Sequence, residues 1–348
     1  MAAVPSYEMG KVVRAMRVAV LGGTRFIGPA VVDELRARGH DVAVLHKGTS
    51  DAHREDVEDV LLDRHDGAAL AGALGKAEPD VLVDTCAYTS EDAKIAVAAL
   101  PDGVRAVVAS SMDVYRAFGS WLTRQSTDPV PLTEAAPLRS TPYPYRGSPI
   151  VRAGIDNDTY DKIHVERPYL AAGALVLRLP MVFGERDPWC WEGFVLARVL
   201  AGRDRIPFGA GTWICSRAWV KDVAAAVALA TESDVTGDVV NVAEAQTWTI
   251  EQWARAILDA AGSSAELVPV PDERLPWDLQ LAASTPQHLL LDSSKARQLL
   301  GWTDSDPAEA VAASVGWHLA NPTPHLERDF SMDDAALEEA LTPMAIPG

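Results

Sequence analysis

What most constrains this chain is an alternation that begins at residue 17. RVAVL (17–21) is a short apolar run, IGPAVVDELRAR (27–38) has the spacing of an amphipathic helix stopped by Gly39, and DVAVLH (41–46) is a second apolar run. The pattern continues through VEDVLLD, a helix near 67–76, DVLVDT, a helix near 91–100 and VRAVVASS. Short strands that are apolar throughout must be covered on both faces, and the intervening helices supply that cover. The expected fold class is α/β, a doubly wound parallel sheet.

From 115 to 157 the alternation breaks into a long connection rich in Pro, Thr, Ser and Arg, of the kind that usually carries function. It resumes with a helix over 158–172, the strand ALVLRLP (174–180), helices over 192–201 and 220–230, the strand VVNVA (239–243), and TIEQWARAILDAAG, a helix with threonine as N-cap. At 348 residues there is room for about two domains. The expected division is a core over 16–180, a smaller lobe mainly over 181–330 with some segments returning to the core, and peripheral tails at 1–15 and 331–348. SMDDAALEEAL in the second tail has the pattern of a terminal helix.

Composition narrows the function. Lys plus Arg total 31 against 49 Asp plus Glu, a net charge of -18, which repels a phosphate backbone and argues against nucleic acid as partner. Cys86, Cys190 and Cys215 form no C-x-x-C pair, which fits a reducing cytoplasm better than a disulfide framework or a zinc motif. The eight histidines show neither H-x-x-x-H nor H-E-x-x-H, so no catalytic metal is expected. Neither a signal peptide nor a membrane span is legible, and a cytoplasmic location is the expectation.

The turn after the first strand, Gly22, Gly23, Thr24, Arg25, Phe26, Ile27 and Gly28, carries the first chemical signal. Glycine there lets backbone approach a pyrophosphate and lets the helix pack close to the sheet, while the helix N-terminus offers amide donors. The run GGTRFIG, together with SSMDVY (110–115), YDKIHVE (160–166), LRLPMVFG (177–184) and WVKDVAAAVALA (219–230), resembles the extended short-chain dehydrogenase/reductases, and within them the NAD-dependent epimerase/dehydratase family. The resemblance covers residues 16 to about 300. It implies a Rossmann-type sheet, a nicotinamide cofactor, a C-terminal substrate lobe, frequent homodimers and small-molecule substrates that are often nucleotide sugars.

The family's turn reads G-x-x-G-x-x-G. Gly22 and Gly28 match its ends, and Arg25 stands where the middle glycine should be. The second strand ends in Leu45, His46, Lys47 and Gly48, without the acid that commonly holds the ribose hydroxyls in NAD sites. Arg25 and Lys47 would suit a 2'-phosphate and favour NADP over NAD; alternatively Arg25 covers the adenine face and either cofactor binds. By the same resemblance Asp63 faces the adenine, and Thr85, Cys86, Ala87, Ser110 and Pro180 line the cofactor's path.

Hydride transfer at an alcohol carbon needs a proton handled on the adjacent oxygen, which the family does with a tyrosine, a lysine one turn later and a strand-end hydroxyl. Ser111 is the candidate hydroxyl, four residues before Tyr115. Dehydratase relatives carry two acids next; here they are Met112 and Asp113, so elimination is disfavoured and Asp113 is left as a candidate acid or base. The tyrosine–lysine pair is ambiguous. In a regular helix Tyr160 shares a face with His164, and Lys162 falls about 200° away from it. Either Tyr160 is the base and His164 replaces the lysine, or Lys162 is the family lysine and Asp158 takes the tyrosine position. The second register is preferred, with the proton handled by Asp158, Asp113, Tyr143 or Tyr145. Aromatic and cationic residues near the expected substrate pocket are Trp189, Trp191, Trp213, Trp219, Arg178, Arg186 and Arg217.

These readings point to an NAD(P)-dependent epimerase or reductase acting on a hydroxyl or keto carbon of a small polar substrate, such as a sugar, a nucleotide sugar or a natural-product intermediate. The alternatives are a dehydratase and a non-catalytic dinucleotide binder on the same fold.

Overall fold

The computed structural model describes residues 14–48, 54–148, 155–323, 326 and 328–341. Seven parallel strands form the central sheet: β1 (Arg17–Leu21), β2 (Asp41–His46), β3 (Glu58–Leu61), β4 (Val81–Asp84), β5 (Arg105–Ser111), β6 (Leu175–Leu179) and, after three short strands, β10 (Asp238–Asn241). Their order across the sheet is β10-β6-β5-β4-β1-β2-β3, so the crossover direction reverses between β1 and β4. This is the Rossmann-type arrangement that the alternation predicts.

The pleat sorts each strand between two helical layers. Val18 and Val20 of β1 pack with Val31, Val32 and Leu35 of α1 (Ile27–Ala37) and with α7 (Val220–Glu232). Ala19 and Leu21 face the other way, onto α2 (Gly67–Ala77), α3 (Ser90–Ala99) and α5 (Lys162–Ala171). Each fully buried Val or Leu contributes about 1.5–3 kcal/mol, so the two apolar layers dominate the stability of the core.

A second apolar cluster lies beyond the strand ends. It joins α4 (Arg116–Leu122), α6 (Gly193–Leu200), α8 (Ile250–Ala260) and α10 (Pro307–Ala320) with the small parallel pair β8 (Arg205–Phe208) and β11 (Glu266–Pro269). A further pair, β7 (Met181–Phe183) with β9 (Arg217–Trp219), leads from the sheet towards it. Thr249 caps α8 in a capping box with Gln252, as its sequence predicts. The segment over 331–341 is helical (α11), but it is no loose tail: Asp333 is buried and accepts from both Nε and Nη2 of the buried Arg198 at 2.8 Å. Residues 1–13 and 342–348 lie outside the described residues. No helix among the described residues is long and apolar enough to cross a membrane.

Candidate active site

The glycine turn is shaped by close contacts. Gly22 has φ +93°, and a Cβ there would stand 2.7 Å from Cys86 Sγ and Thr85 Oγ1. A Cβ on Gly28 would stand 2.2 Å from the Gly22 carbonyl oxygen, and one on Gly23 2.7 Å from Val44. Phe26 (φ 46°) precedes α1 without a side-chain cap, and no acid lies in the first turn of that helix. The Gly28 amide donates back to the Arg25 carbonyl at 3.0 Å and Pro29 has no N–H, so what the turn offers a dinucleotide pyrophosphate is the dipole of α1 and its remaining N-terminal amides. Gly28→Ala is expected to destabilise the fold by about 1–3 kcal/mol through overpacking. It should also abolish cofactor binding, which thermal melts and nicotinamide fluorescence titration would check.

The residues around the turn meet this expectation unevenly. Thr24 and Ile27 are half-buried and Arg25 is exposed. His46 is tied to Asp59 of β3, and its Nδ1 accepts from the Gly48 amide at 3.1 Å, so its ring is already engaged within the sheet edge. Lys47 pairs with Asp63 at 3.2 Å, which brings an acid from beyond β3 to the place where the second strand lacks one. Backbone donation from His65 holds Asp63 below the usual carboxylate range, and Lys47 adds to that effect. Thr85 Oγ1 donates to the carbonyls of Leu21 and Gly22 at 3.2 and 3.1 Å. Burial pushes the Cys86 thiol up to about 12, and its Sγ accepts from Arg64 at 3.1 Å.

The greatest departure from expectation is at the start of α5. The helix begins at Lys162, and Asp161 before it is extended (φ -159°, ψ 107°) and serves as N-cap, accepting from the Ile163 amide. Residues two apart across an extended link lie on one side, so Tyr160 and Lys162 turn the same way. The opposition computed for a regular helix does not apply, and the two registers cease to be alternatives. Asp158 lies in an exposed turn, where its carbonyl accepts from Arg146 at 2.7 Å. His164 is half-buried, 3.7 Å from Asp161 and edge-on to Tyr143. Neither Asp158 nor His164 joins the cluster around Lys162.

That cluster centres on Asp113. Ser111 ends β5, and its Oγ accepts from the Asp113 amide at 3.2 Å, folding the chain so that the Asp113 side chain turns inward. Asp113 is 1% exposed. Its Oδ2 accepts from the Tyr160 hydroxyl at 2.8 Å and from the Tyr145 hydroxyl at 3.1 Å, while Oδ1 has no hydrogen-bond partner among the described residues. The Tyr145 and Tyr160 rings meet at 5.3 Å. Lys162 is buried and donates to the carbonyls of Ala87 and Ala109 at 2.6 and 2.9 Å, with its Nζ 5.0 Å from the centre of the Tyr88 ring. Burial pushes the Lys162 ammonium below the usual lysine range, and the negative charge of Asp113 opposes that shift. Arg139 pins the whole group. It donates to the Asp113 carbonyl at 2.7 Å and to both oxygens of Asp161 at 2.5 and 3.2 Å. Burial alone would raise the Asp161 carboxyl, but Arg139 outweighs it and holds the group below the usual range.

Several sequence candidates prove structural. Ser110 points through the sheet, opposite to Ser111, and donates to Glu166 at 2.6 Å. Glu166 forms a bidentate pair with buried Arg178, and Arg178 also donates to the Tyr115 hydroxyl at 3.1 Å. Arg178 therefore braces β6 against α5. Trp213 is buried, stacked on Trp121 at 5.0 Å, with its Nε1 donating to the Gln287 carbonyl. Arg217 is buried, donating to the Trp248 carbonyl at 2.9 Å and pairing with Glu244 at 3.3 Å. Pro180 is buried between β6 and β7. Tyr143 sits away from Asp113, its amide on Asp161 and its ring under Arg146 at 4.0 Å. Arg186 and Trp189 remain exposed and Trp191 and Trp219 partly so, on the segments around α6 and β9.

Sequence reasoning missed Arg139 and Tyr88. Tyr88 carries no local signal, but an aspartate immediately before an apolar-periodic run is an N-cap signature, and read that way it starts the helix at Lys162.

Glycine turn, α1 and the gathered strand ends β1, β4 and β5 define a fold of the Rossmann class. More narrowly, residues 18–143 match the model of the NAD dependent epimerase/dehydratase family. It is 29% identical over 320 residues to a 3-diazoavenalumate denitrifying reductase of Streptomyces sp, covering 84% of this chain and 97% of the relative. It is also 29% identical over 276 residues to 2'-dehydrokanamycin reductase of Streptomyces kanamyceticus, covering 74% of this chain and 70% of that one. Among solved structures, the Bordetella bronchiseptica enzyme WbmH in complex with NAD+ has the same fold, with TM-score 0.67 and 17% identity over 89% of this chain and 100% of the other.

Proposed function

We propose that this protein is a nicotinamide-dependent reductase acting on a keto carbon, or a comparably electrophilic group, of a small polar molecule. The observation that carries the proposal is the cluster of Tyr160, Tyr145 and Lys162 around the buried Asp113 at the end of β5. The cluster is continuous with the glycine turn. Gly22 abuts Thr85 and Cys86, and Ala87 next to them accepts from Lys162. A bound nicotinamide supplies the hydride. The protein's own task is to deliver a proton to the oxygen next to the carbon that receives it.

Tyr160 is the proton donor in this reading. Its hydroxyl is held in place by Asp113, and a substrate oxygen that takes over this hydrogen bond receives the proton. The ammonium of Lys162 offsets the negative charge left on Tyr160. Tyr145 stays on Asp113 and keeps the carboxylate satisfied while Tyr160 is engaged. Ser111, half-buried at the strand end, keeps a hydroxyl proton to donate to the same substrate oxygen. Arg139 and Ser111 position Asp113 through the backbone. Net reduction is favoured over epimerisation because the two relatives named above are reductases. Elimination is disfavoured by Met112, which stands where dehydratases place an acid.

Incubation with NADPH or NADH and a panel of carbonyl compounds tests the reading, with 2'-dehydrokanamycin and an aryl diazonium such as 3-diazoavenalumate included. The expected result is loss of absorbance at 340 nm in step with product. An isomerised product without net absorbance change would replace reductase by epimerase. Cofactor binding with no turnover on any member would favour the non-catalytic alternative.

NADPH is the preferred cofactor in this reading, because Arg25 is exposed at the mouth of the turn and Lys47 stands at the end of β2. Arg25→Gln should raise the KM for NADPH roughly tenfold and leave that for NADH within about twofold, since a guanidinium–phosphate bond is charge-assisted and directional. Equal effects on both cofactors would place Arg25 on the shared adenine or pyrophosphate instead.

A further inference from the structure

We propose that Cys190, Glu192 and His318 form a buried three-ligand zinc site that ties the loop before α6 to the end of α10. Cys190 lies on that loop, Glu192 is the residue immediately before α6, and His318 is in the last turn of α10. The three side chains are 3%, 0% and 0% exposed as residues. Their ligand atoms lie within 4.8 Å of one another.

What points to a cation is the pattern of unmet polar atoms. Ser314, one turn before His318, donates to Glu192 Oε1 and fixes the carboxylate. Among the described residues the other oxygen, Oε2, has no hydrogen-bond partner, and the His318 ring has none beyond its approach to the Gly184 backbone. Glu192 Oε2 and His318 Nε2 are 3.9 Å apart, too far for a hydrogen bond and close for two ligands of one ion. Each buried polar atom left unpaired costs about 1–3 kcal/mol, so several at one point are hard to sustain without a shared partner. A divalent cation serves all three residues at once. The donors are a thiol, an imidazole and a carboxylate, a set suited to zinc rather than to calcium or magnesium, which take oxygen. Metal–ligand lengths of about 2.0–2.3 Å require donors roughly 3.3–3.8 Å apart, within small side-chain adjustments of those observed. On binding, the Cys190 S–H bond is exchanged for a sulfur–zinc bond and the proton goes to water. Thiolate and carboxylate then balance the charge of the ion. A water or another donor completes the fourth position. Local spacing could not reveal the site, because its histidine comes from an element far along the chain.

The test is metal analysis of untagged protein expressed with zinc in the medium. About one zinc per chain is expected, falling at least tenfold in Cys190→Ser and in His318→Gln at unchanged circular dichroism. Refolding the wild type with cobalt(II) alone should give a near-ultraviolet thiolate-to-cobalt band that Cys190→Ser lacks. If the histidine variant fails to fold, the serine variant and the cobalt spectrum carry the test. Wild type free of zinc and without the cobalt band overturns the proposal, as does zinc content unchanged in Cys190→Ser.

Discussion

Replacing Tyr160 by phenylalanine is expected to lower kcat by about 10²–10⁴-fold, the usual contribution of a positioned proton donor. The fold should hardly notice. The ring keeps its contacts with Tyr145 and Tyr88, and Asp113 Oδ2 keeps the Tyr145 hydroxyl. The lost hydrogen bond should cost only about 0.5–1.5 kcal/mol. Cofactor affinity should be unchanged, because the lost hydroxyl bonds Asp113 at the end of β5 and not the turn around Gly22. A Tyr160→Phe enzyme within a few-fold of wild type would move the proton donor elsewhere, with Tyr145 the next candidate.

Lys162→Met should be the second severe change, with kcat down on the order of 10²-fold or more. Methionine preserves most of the volume, so the buried stem still packs. The charge is lost, and the carbonyls of Ala87 and Ala109 lose their shared donor. The stability loss should be about 1–3 kcal/mol, visible as a lower denaturation midpoint with unchanged slope. The ammonium titrates below the usual lysine range. Wild-type activity should therefore fall on an alkaline limb below the normal lysine pKa of about 10.4, and that limb should be absent from Lys162→Met. The double variant with Tyr160→Phe should be little worse than either single change, because residues that act as a unit are not additive. Multiplicative losses would mean that the two act independently.

The sheet was readable because its determinants are local. DVAVLH has an apolar VAVL centre and spans the same residues as β2, and the N-cap Thr249 starts α8 where its sequence says it should. The glycine turn was legible for the same reason. The active-site register was not, because it depends on where one helix begins. A regular helix through Tyr160 puts Lys162 on the wrong side. The extended Asp161, held by Arg139 from the long connection, reverses that geometry. Arg178, Arg217 and Trp213 are engaged within the fold, for a tertiary reason. A charged or aromatic side chain looks alike in sequence whether it faces a pocket or closes a buried network; here Arg178 and Trp213 have partners inside the protein, and Arg217 pairs with Glu244 while its Nη1 has no hydrogen bond among the described residues. Tyr145 was one of two equivalent tyrosines in TPYPYRG, and only the folded connection chooses it over Tyr143.

The account stands on Tyr160 and Asp113 jointly handling the proton of a reduction, and single-turnover decay of absorbance at 340 nm tests this most directly. Enzyme in excess is mixed with NADPH or NADH and a carbonyl substrate found in the panel, using wild type, Tyr160→Phe and Asp113→Asn, with cofactor affinity measured on each. The prediction is stoichiometric decay in the wild type, slowed about 100-fold or more in both variants at unchanged cofactor Kd. Wild-type decay rates in both variants, or a wild type that binds neither cofactor, would contradict it.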